Sequence, residues 1–323
     1  MSDVTRETRS AGTVGFVLVA LAAATWGSDG LFRRGLALEL PTATVVMVEH
    51  LILVLITLPV LIRAIPVTKS FTPRDWISLL VIGAGASALA TVLFTHAFVY
   101  GDPNTPLLLQ KLQPLFAIGG ATLLLGERFL PRFGIYVVAA LAGAYLITFP
   151  EPTSVSVTAV TPALLALGAA GLWGLGTVLG RHLTAKVGFG SLTALRFAVG
   201  LPATIVIVFF QDRGAEISTI GRQDFLALLL LALIPGLLGL TLYYRGLRET
   251  PASAATLAEL SFPLSAITIN YIAFDATLAA SQWIGVLLLS ATIVAIGLAS
   301  TRGTRAIGIE LPPPIISDEP ARA

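Results

Sequence analysis

The sequence predicts an all-α integral membrane protein: ten transmembrane helices built as two five-helix repeats of opposite orientation. Three observations carry that expectation. The chain is 55% hydrophobic and only 12% charged, with a mean hydropathy of +0.88, whereas a soluble domain is roughly 25% charged. Its apolar residues form long unbroken runs, not the alternation of barrel strands. Landmark residues of the first half recur, in order, in the second. Such a composition excludes most soluble enzymes and nucleic-acid binders. The 20 Lys and Arg against 18 Asp and Glu leave a net charge of +2, and no basic block is present to follow a phosphate backbone. Cysteine is absent, which excludes disulfides, thiol catalysis and Cys-based metal sites. Only Lys69, Lys111 and Lys186 are lysine, an Arg bias that points to a GC-rich bacterial genome.

A helix needs about 20 mostly apolar residues to cross about 30 Å of hydrocarbon. Punctuated at charges, Pro and Gly, the runs lie at 11–34, 42–62, 76–99, 104–125, 132–149, 162–181, 189–210, 224–247, 252–273 and 282–300. The first follows a polar cytoplasmic tail at 1–10. It ends in Asp29, Arg33 and Arg34 rather than in a small-residue cleavage site, so it reads as a span and not as a signal peptide. Connections longer than a turn fall at 63–75, 150–161 and 211–223, which leaves no room for an inserted soluble domain. The segment 150–161 is the outer connector between repeats 11–149 and 162–300. The Pro-rich tail 301–323 is expected to be disordered. Trp76 and Trp283 open their spans as interfacial anchors.

Orientation follows from the basic residues. With the N-terminus inside, the inner segments hold 14 of them: Arg6, Arg9, Arg63, Lys69, Arg74, Arg128, Arg132, Arg181, Lys186, Arg245, Arg248, Arg302, Arg305 and Arg322. The outer segments hold 4, namely Arg33, Arg34, Arg213 and Arg222, and Lys111 and Arg196 remain within spans. Both termini are therefore expected in the cytoplasm.

The repeat shows as a drifting offset. Trp26-Gly27 matches Trp173-Gly174, Arg34 matches Arg181, and Glu49-His50 matches Arg196-Phe197, all at 147 residues. Later the offset is 149: Gln113-Pro114 faces Phe262-Pro263, Gln110 faces Glu259, and His96 faces Arg245. Five spans per half is an odd number, so the second copy is inverted in the membrane. Inverted repeats underlie many secondary transporters, with the substrate site near the midplane between the copies.

On these residues the chain resembles the drug/metabolite transporter superfamily, in its ten-span EamA branch, over about residues 13–300. The resemblance rests on Trp26-Gly27, Trp173-Gly174, Leu112-Gln113-Pro114-Leu115-Phe116, Leu125-Gly126-Glu127-Arg128 and Arg196-Phe197. The second half departs from it, because Phe274-Asp275 stands where a Leu-Gly-Glu element is expected. The first half departs at Glu49-His50, where an Arg is common. The resemblance implies a basket of spans around a central cavity, with spans five and ten peripheral. It also implies export or exchange of small metabolites, often amino acids.

A charge at the bilayer centre costs at least about 2.5–3.5 kcal/mol, so each deep one needs a partner or a wet cavity. Lys111 stands three residues before Pro114 and shares its helix face. Glu259 stands four before Pro263. Proline removes a backbone donor and frees a carbonyl, which is tolerated at depth where the helix lines a cavity. Lys111 and Glu259 read either as a charge pair at the substrate site or as a structural ion pair between helices. Glu49 and Arg196, at matched positions, either pair or bind substrate separately. His50 and His96 are candidate proton relays or satisfied interhelical hydrogen bonders. Trp26 and Trp173, each before a Gly, read as an aromatic wall for a ligand or as close packing. Gln110 and Arg245 complete the candidate substrate-binding set, with Pro114 and Pro263 as its helix kinks. Asp29 and Arg33 are expected to pair locally near the outer face, and Glu127-Arg128 to act as a structural clamp. Gly176 and Gly180 serve bundle packing or a dimer face.

The function expected is a secondary transporter, a permease or exporter of the bacterial inner membrane, moving a small metabolite by alternating access. Deep charges of both signs suit an amino acid or a related zwitterion. A cavity carboxylate, Glu259 or Glu49, offers proton coupling. No Walker A, HExxH or GxSxG motif is present, so neither ATP hydrolysis nor enzyme activity is expected, and no cofactor or metal. The alternatives are an intramembrane enzyme, or a channel or receptor using the same bundle. The partners are the lipid bilayer and the small-molecule substrate, not nucleic acid, and the chain acts as a monomer or homodimer.

Overall fold

The computed structural model describes residues 2–100, 102–125, 133–153, 157–184, 186–210, 220–247 and 258–306. They are predominantly helical, with no strand among the described residues. The first helices are α1 (Ser2–Gly27), α2 (Asp29–Glu39) and α3 (Thr42–Ala64). Next come α4 (Pro73–Leu80), a π-helical stretch Val81–Leu89, and α5 (Ala90–Ala97). After α6 (Asn104–Leu109) a 3₁₀ turn at Gln110–Leu112 leads into α7 (Gln113–Leu125), followed by α8 (Phe133–Thr148). The second half holds α9 (Val157–Thr184), α10 (Phe189–Phe210) and α11 (Arg222–Leu231). A second π-helical stretch, Ala232–Leu238, joins α11 to α12 (Gly239–Leu247), and α13 (Ser261–Phe274) and α14 (Ala280–Ala306) follow.

Seven helical segments of the described residues are long and apolar enough to cross a membrane, from Val14–Glu39 to Arg222–Tyr243. Three shorter apolar helices, Gly134–Thr148, Ser261–Phe274 and Ala280–Ile296, stand at the places of the fifth, ninth and tenth runs. The surface carries Leu123, Phe209, Phe210 and Ile272 at 75% exposure or more. Water would penalise that surface by about 25 cal/mol per Å², whereas lipid does not, so the fold is that of a membrane protein.

Residues 2–10 belong to α1. The expected end of the first run at Arg34 is corrected: the helix is interrupted at Ser28 and continues as α2 to Glu39. The Arg33 side chain is buried, 3% exposed. Glu127-Arg128 and residues 307–323 lie outside the described residues.

Packing follows the small residues. α1 packs on α12 and α13, while α9 packs on α5 and α7; α3 packs on α10, and α8 on α14. A Cβ at Gly27 would lie 2.9 Å from both the Phe262 carbonyl and the Ala266 nitrogen of α13. One at Gly174 would lie 3.0 Å from the Gln113 carbonyl and 2.9 Å from the Ala117 nitrogen of α7. The same backbone approach thus occurs twice, at the offsets of 147 and 149 read in the sequence. α8 and α14 meet at Gly143 and Gly285, where either Cβ would strike the other's carbonyl at 3.0 Å or 2.7 Å. A Cβ at Gly176 would lie 2.5 Å from that of Ala86, so this glycine seats α9 against the π-helical stretch within the bundle.

At the C-terminus of α13, Asp275 takes φ 52 and ψ 26, the left-handed conformation that glycine adopts without penalty. Its amide bonds the Tyr271 carbonyl, and that of Ala276 bonds Asn270, the pattern that closes a helix. Asp275 stands 149 residues after Gly126, so here aspartate fills the place of the glycine.

Candidate functional site

Each proline-marked span breaks where its proline leaves a carbonyl without its usual donor. Pro114 supplies no N–H to the carbonyl of Gln110, and the Gln113 amide takes that acceptor in the 3₁₀ turn. Pro263 supplies none to Glu259, and the Phe262 amide takes that carbonyl at 3.1 Å. The two breaks are therefore alike, and they hold Lys111 and Glu259 beside each other. Lys111 Nζ lies 3.8 Å from Glu259 Oε2 and 4.1 Å from the centre of the Phe262 ring. The Tyr243 hydroxyl donates to Glu259 Oε1 at 2.8 Å, and the Tyr243 ring lies 5.0 Å from that of Trp26. A Cβ at Gly239 would strike Trp26 Nε1 at 2.6 Å, so glycine makes room for the indole.

Beside this pair lies a small crevice of ≈ 30 Å³, bounded by the two breaks and by α8 and α14. Lys111, Glu259 and Ser290 are its polar groups, and Ile147, Pro263 and Leu289 are among its apolar walls. Lys111 and Glu259 are 20% and 28% exposed. Their separation exceeds a hydrogen bond, so the charges attract while both keep room for a third group. Such a site can accept a ligand donor at the carboxylate and an acceptor at the ammonium, with the aliphatic surface of Leu108, Ile147 and Val286 for the remainder.

An equivalent aromatic pair stands in the other half, where the Trp173 ring lies 5.2 Å from Phe94. Phe94 precedes Tyr243 by 149 residues, as Gln110 precedes Glu259. The first copy is thus apolar and neutral, and the second carries the phenol and the carboxylate. Trp173 and Trp26 are both half-buried and both pack against the cluster that holds Phe94, Phe98, Leu107 and Phe262. Tyr243 and Phe262 were missed by the sequence reading. The signal for Tyr243 was available, since it stands at the repeat offset from an aromatic residue of span three.

Glu49 does not find Arg196. Arg33 reaches it first, across the reversal at Leu40–Pro41 that folds α3 back along α2. Arg33 Nε and Nη2 donate to Asp29 at 2.6 and 2.8 Å. Nη1 and Nη2 donate to Glu49 at 3.0 and 3.2 Å, and Nη1 also donates to Thr95 at 2.9 Å. All five guanidinium N–H groups are thereby used. The local Asp29–Arg33 pair of the sequence reading is present, but it is buried and shared with Glu49. Arg196 lies over the ring of Phe197, 5.6 Å from its centre.

His50 is buried and satisfied. Its Nδ1 donates to the Val46 carbonyl at 2.9 Å, and Nε2 meets Ser87 Oγ at 3.0 Å. A carbonyl can only accept, so Nδ1 carries a proton, and the ring ties span two to the π-helical stretch of span three. His96 packs edge-on to Tyr100 at 5.6 Å, Gln110 is half-buried, and Arg245 is exposed. Of the ten residues expected to bind substrate, the structure brings together Lys111, Glu259 and Trp26, with Gln110 adjacent in the chain to Lys111. Glu49, Arg196, His50, His96, Trp173 and Arg245 have other neighbours.

The sequence pattern of the EamA-like transporter family matches residues 13–149 and again 160–298. A protein of Fusobacterium nucleatum named riboflavin transporter ImpX is 30% identical over 289 residues, covering 87% of this chain and 97% of that protein. An uncharacterized inner membrane transporter of Salmonella typhimurium, YicL, is 24% identical over 311 residues, covering 90% of this chain and 98% of its own length. A crystal structure of a further protein superposes with a TM-score of 0.58 at 18% identity, over 93% of this chain and 99% of the other.

Proposed function

We propose that this chain, which belongs to the EamA-like transporter family and is a membrane transporter, carries a small organic metabolite with a planar heteroaromatic part, of the flavin type. The observation that carries this reading is the Lys111–Glu259 pair held open beside the half-buried rings of Tyr243 and Trp26. A planar heterocycle has an apolar face for such a wall, and edge donors and acceptors for the two charges. The riboflavin transporter to which the chain is similar supports the same class. Transport is by alternating access across the bacterial inner membrane. The seven long and three shorter apolar segments serve as ten crossings, in two inverted repeats at 11–149 and 162–300 with both termini cytoplasmic. The duplicated glycine approaches and aromatic pairs support that arrangement. Counterflow of radiolabelled riboflavin in proteoliposomes tests the substrate: saturable exchange supports it, and a flux no greater than in empty liposomes overturns it.

A second reading keeps the amino acid or related zwitterion, favoured by the 3.8 Å gap between Lys111 and Glu259. A substrate carboxylate would face the ammonium, and a substrate ammonium the carboxylate. Displacement of labelled substrate by a panel of unlabelled amino acids separates the two. In either case Glu259 is the carboxylate through which protons couple, because Glu49 is committed to Arg33. Uptake that ignores an imposed pH gradient would replace coupling with facilitated exchange.

A further inference from the structure

Resting on the inverted-repeat transporter reading above, we propose that the two ends of the bundle are sealed unequally, and that Asp75 with His182 and Lys186 forms a clasp biasing the carrier toward closure at its own end. Asp75 opens span three, in the first half; its side chain is wholly buried. Its Oδ1 accepts from His182 Nε2 at 2.9 Å, and its Oδ2 accepts from Lys186 Nζ. The same Oδ2 accepts from the amide and hydroxyl of Thr72, at 2.8 and 2.7 Å. His182 lies in the last turn of α9 and Lys186 just beyond it, both in the second half. The clasp therefore joins the two halves across one end.

Under it lies an apolar seal that includes Leu79, Ile82, Leu183 and Leu192. At the repeat offsets these become Leu228, Leu231, Leu36 and Val45, which form a second buried cluster. The inversion puts that cluster at the opposite end. The apolar seals are alike, but the polar groups above them are not. Asp224 is the equivalent of Asp75, and it likewise caps its own helix, accepting the Gly221 amide at 2.8 Å. The positions matching His182 and Lys186 are Gly35 and Glu39. One corner thus holds opposite charges together, and the other sets a carboxylate on each facing helix. A contact present in only one state of a two-state carrier shifts the population toward that state. The clasped end is the cytoplasmic one in the orientation proposed above.

The natural absence of cysteine makes the test clean. Leu79→Cys and Leu228→Cys are introduced singly as reporters beneath the two corners. Their alkylation rates are measured with a maleimide in nanodiscs, where the reagent reaches both ends. Leu228→Cys is expected to react faster than Leu79→Cys. Lys186→Glu, which gives this corner the charge of the other, is expected to raise the Leu79→Cys rate and lower that of Leu228→Cys by about fivefold, the factor expected of a partly exposed ion pair. Glu39→Lys, which sets opposite charges at the other corner, is expected to slow Leu228→Cys and to speed Leu79→Cys. Asp75 is left intact, because its substitution would also uncap α4. Equal reporter rates, unmoved by Lys186→Glu, overturn the proposal. Should that variant fail to elute as a single species, Lys186→Gln must shift the rates in the same direction, and unchanged rates again overturn it. A reporter shift without riboflavin counterflow supports the clasp and refutes only the substrate; counterflow without a shift refutes only the clasp.

Discussion

Arg33 is buried and Lys111 half-buried; both are cations held by carboxylates, yet their geometry assigns them opposite tasks. Every N–H of Arg33 is bonded within 3.2 Å, so it has nothing to offer a ligand. Removing it would strand Asp29 and Glu49 in low dielectric, and Arg33→Met is expected to lower stability by about 3–5 kcal/mol. Chemical denaturation in detergent, followed by tryptophan fluorescence, measures this; an unchanged midpoint would refute it. A lysine cannot reproduce the planar fork, so Arg33→Lys should recover only part of the loss. Lys111, by contrast, is under-bonded and partly exposed. Lys111→Met and Glu259→Gln are each expected to reduce transport by roughly tenfold to a hundredfold, the equivalent of about 1.5–3 kcal/mol for a bond to a charged group. Tyr243→Phe, which deletes only the donor to Glu259, should cost less. Initial rates of uptake into proteoliposomes decide, and normal rates in all three variants would place the site elsewhere.

Helices here are joined by close backbone approach more than by large interlocking side chains, as expected where lipid gives no hydrophobic drive between them. Gly27 and Gly174 occupy equivalent crossings with main-chain atoms at about 3 Å from a would-be Cβ. Main chain cannot rotate aside as a side chain does. Gly27→Ala and Gly174→Ala are each expected to destabilise by about 1–3 kcal/mol through overpacking. Gly119→Ala, on an open helix face, should be neutral or slightly stabilising, since alanine is the better helix former. Thermal unfolding of the three purified variants in one detergent checks the contrast. The broken spans obey an equally local rule, since each break follows from a proline that leaves a carbonyl four residues earlier for a neighbouring amide.

For the whole molecule, the 14-to-4 split of basic residues predicts cytoplasmic termini. Single cysteines at Ser10→Cys, Ser156→Cys and Thr304→Cys, labelled on intact cells with an impermeant reagent, should react only at position 156; labelling of the termini alone would invert the orientation. Membrane class, helical content and the placement of the apolar segments were legible in the sequence, because they follow from composition and from local run length. The two proline breaks were legible for the same reason, and Lys111 and Glu259 stood out as deep charges beside them, while their approach to 3.8 Å is a tertiary fact. The partner of Glu49 was not. The offset aligned it with Arg196, but alignment under a pseudo-twofold says which residues are equivalent, not which ones touch. Only the reversal at Leu40–Pro41, which folds α3 back along α2, put Arg33 within reach. Likewise the sequence marked Trp26 and Trp173 as a matched pair without saying how they differ. Their neighbours, Tyr243 with Glu259 in one copy and Phe94 in the other, come from distant helices. Local sequence therefore determined which segments are apolar and where they break, while tertiary structure decided which buried charges neutralise one another, because that depends on how helices approach in space, whether neighbours in the chain, as for Arg33 and Glu49, or distant, as for Lys111 and Glu259.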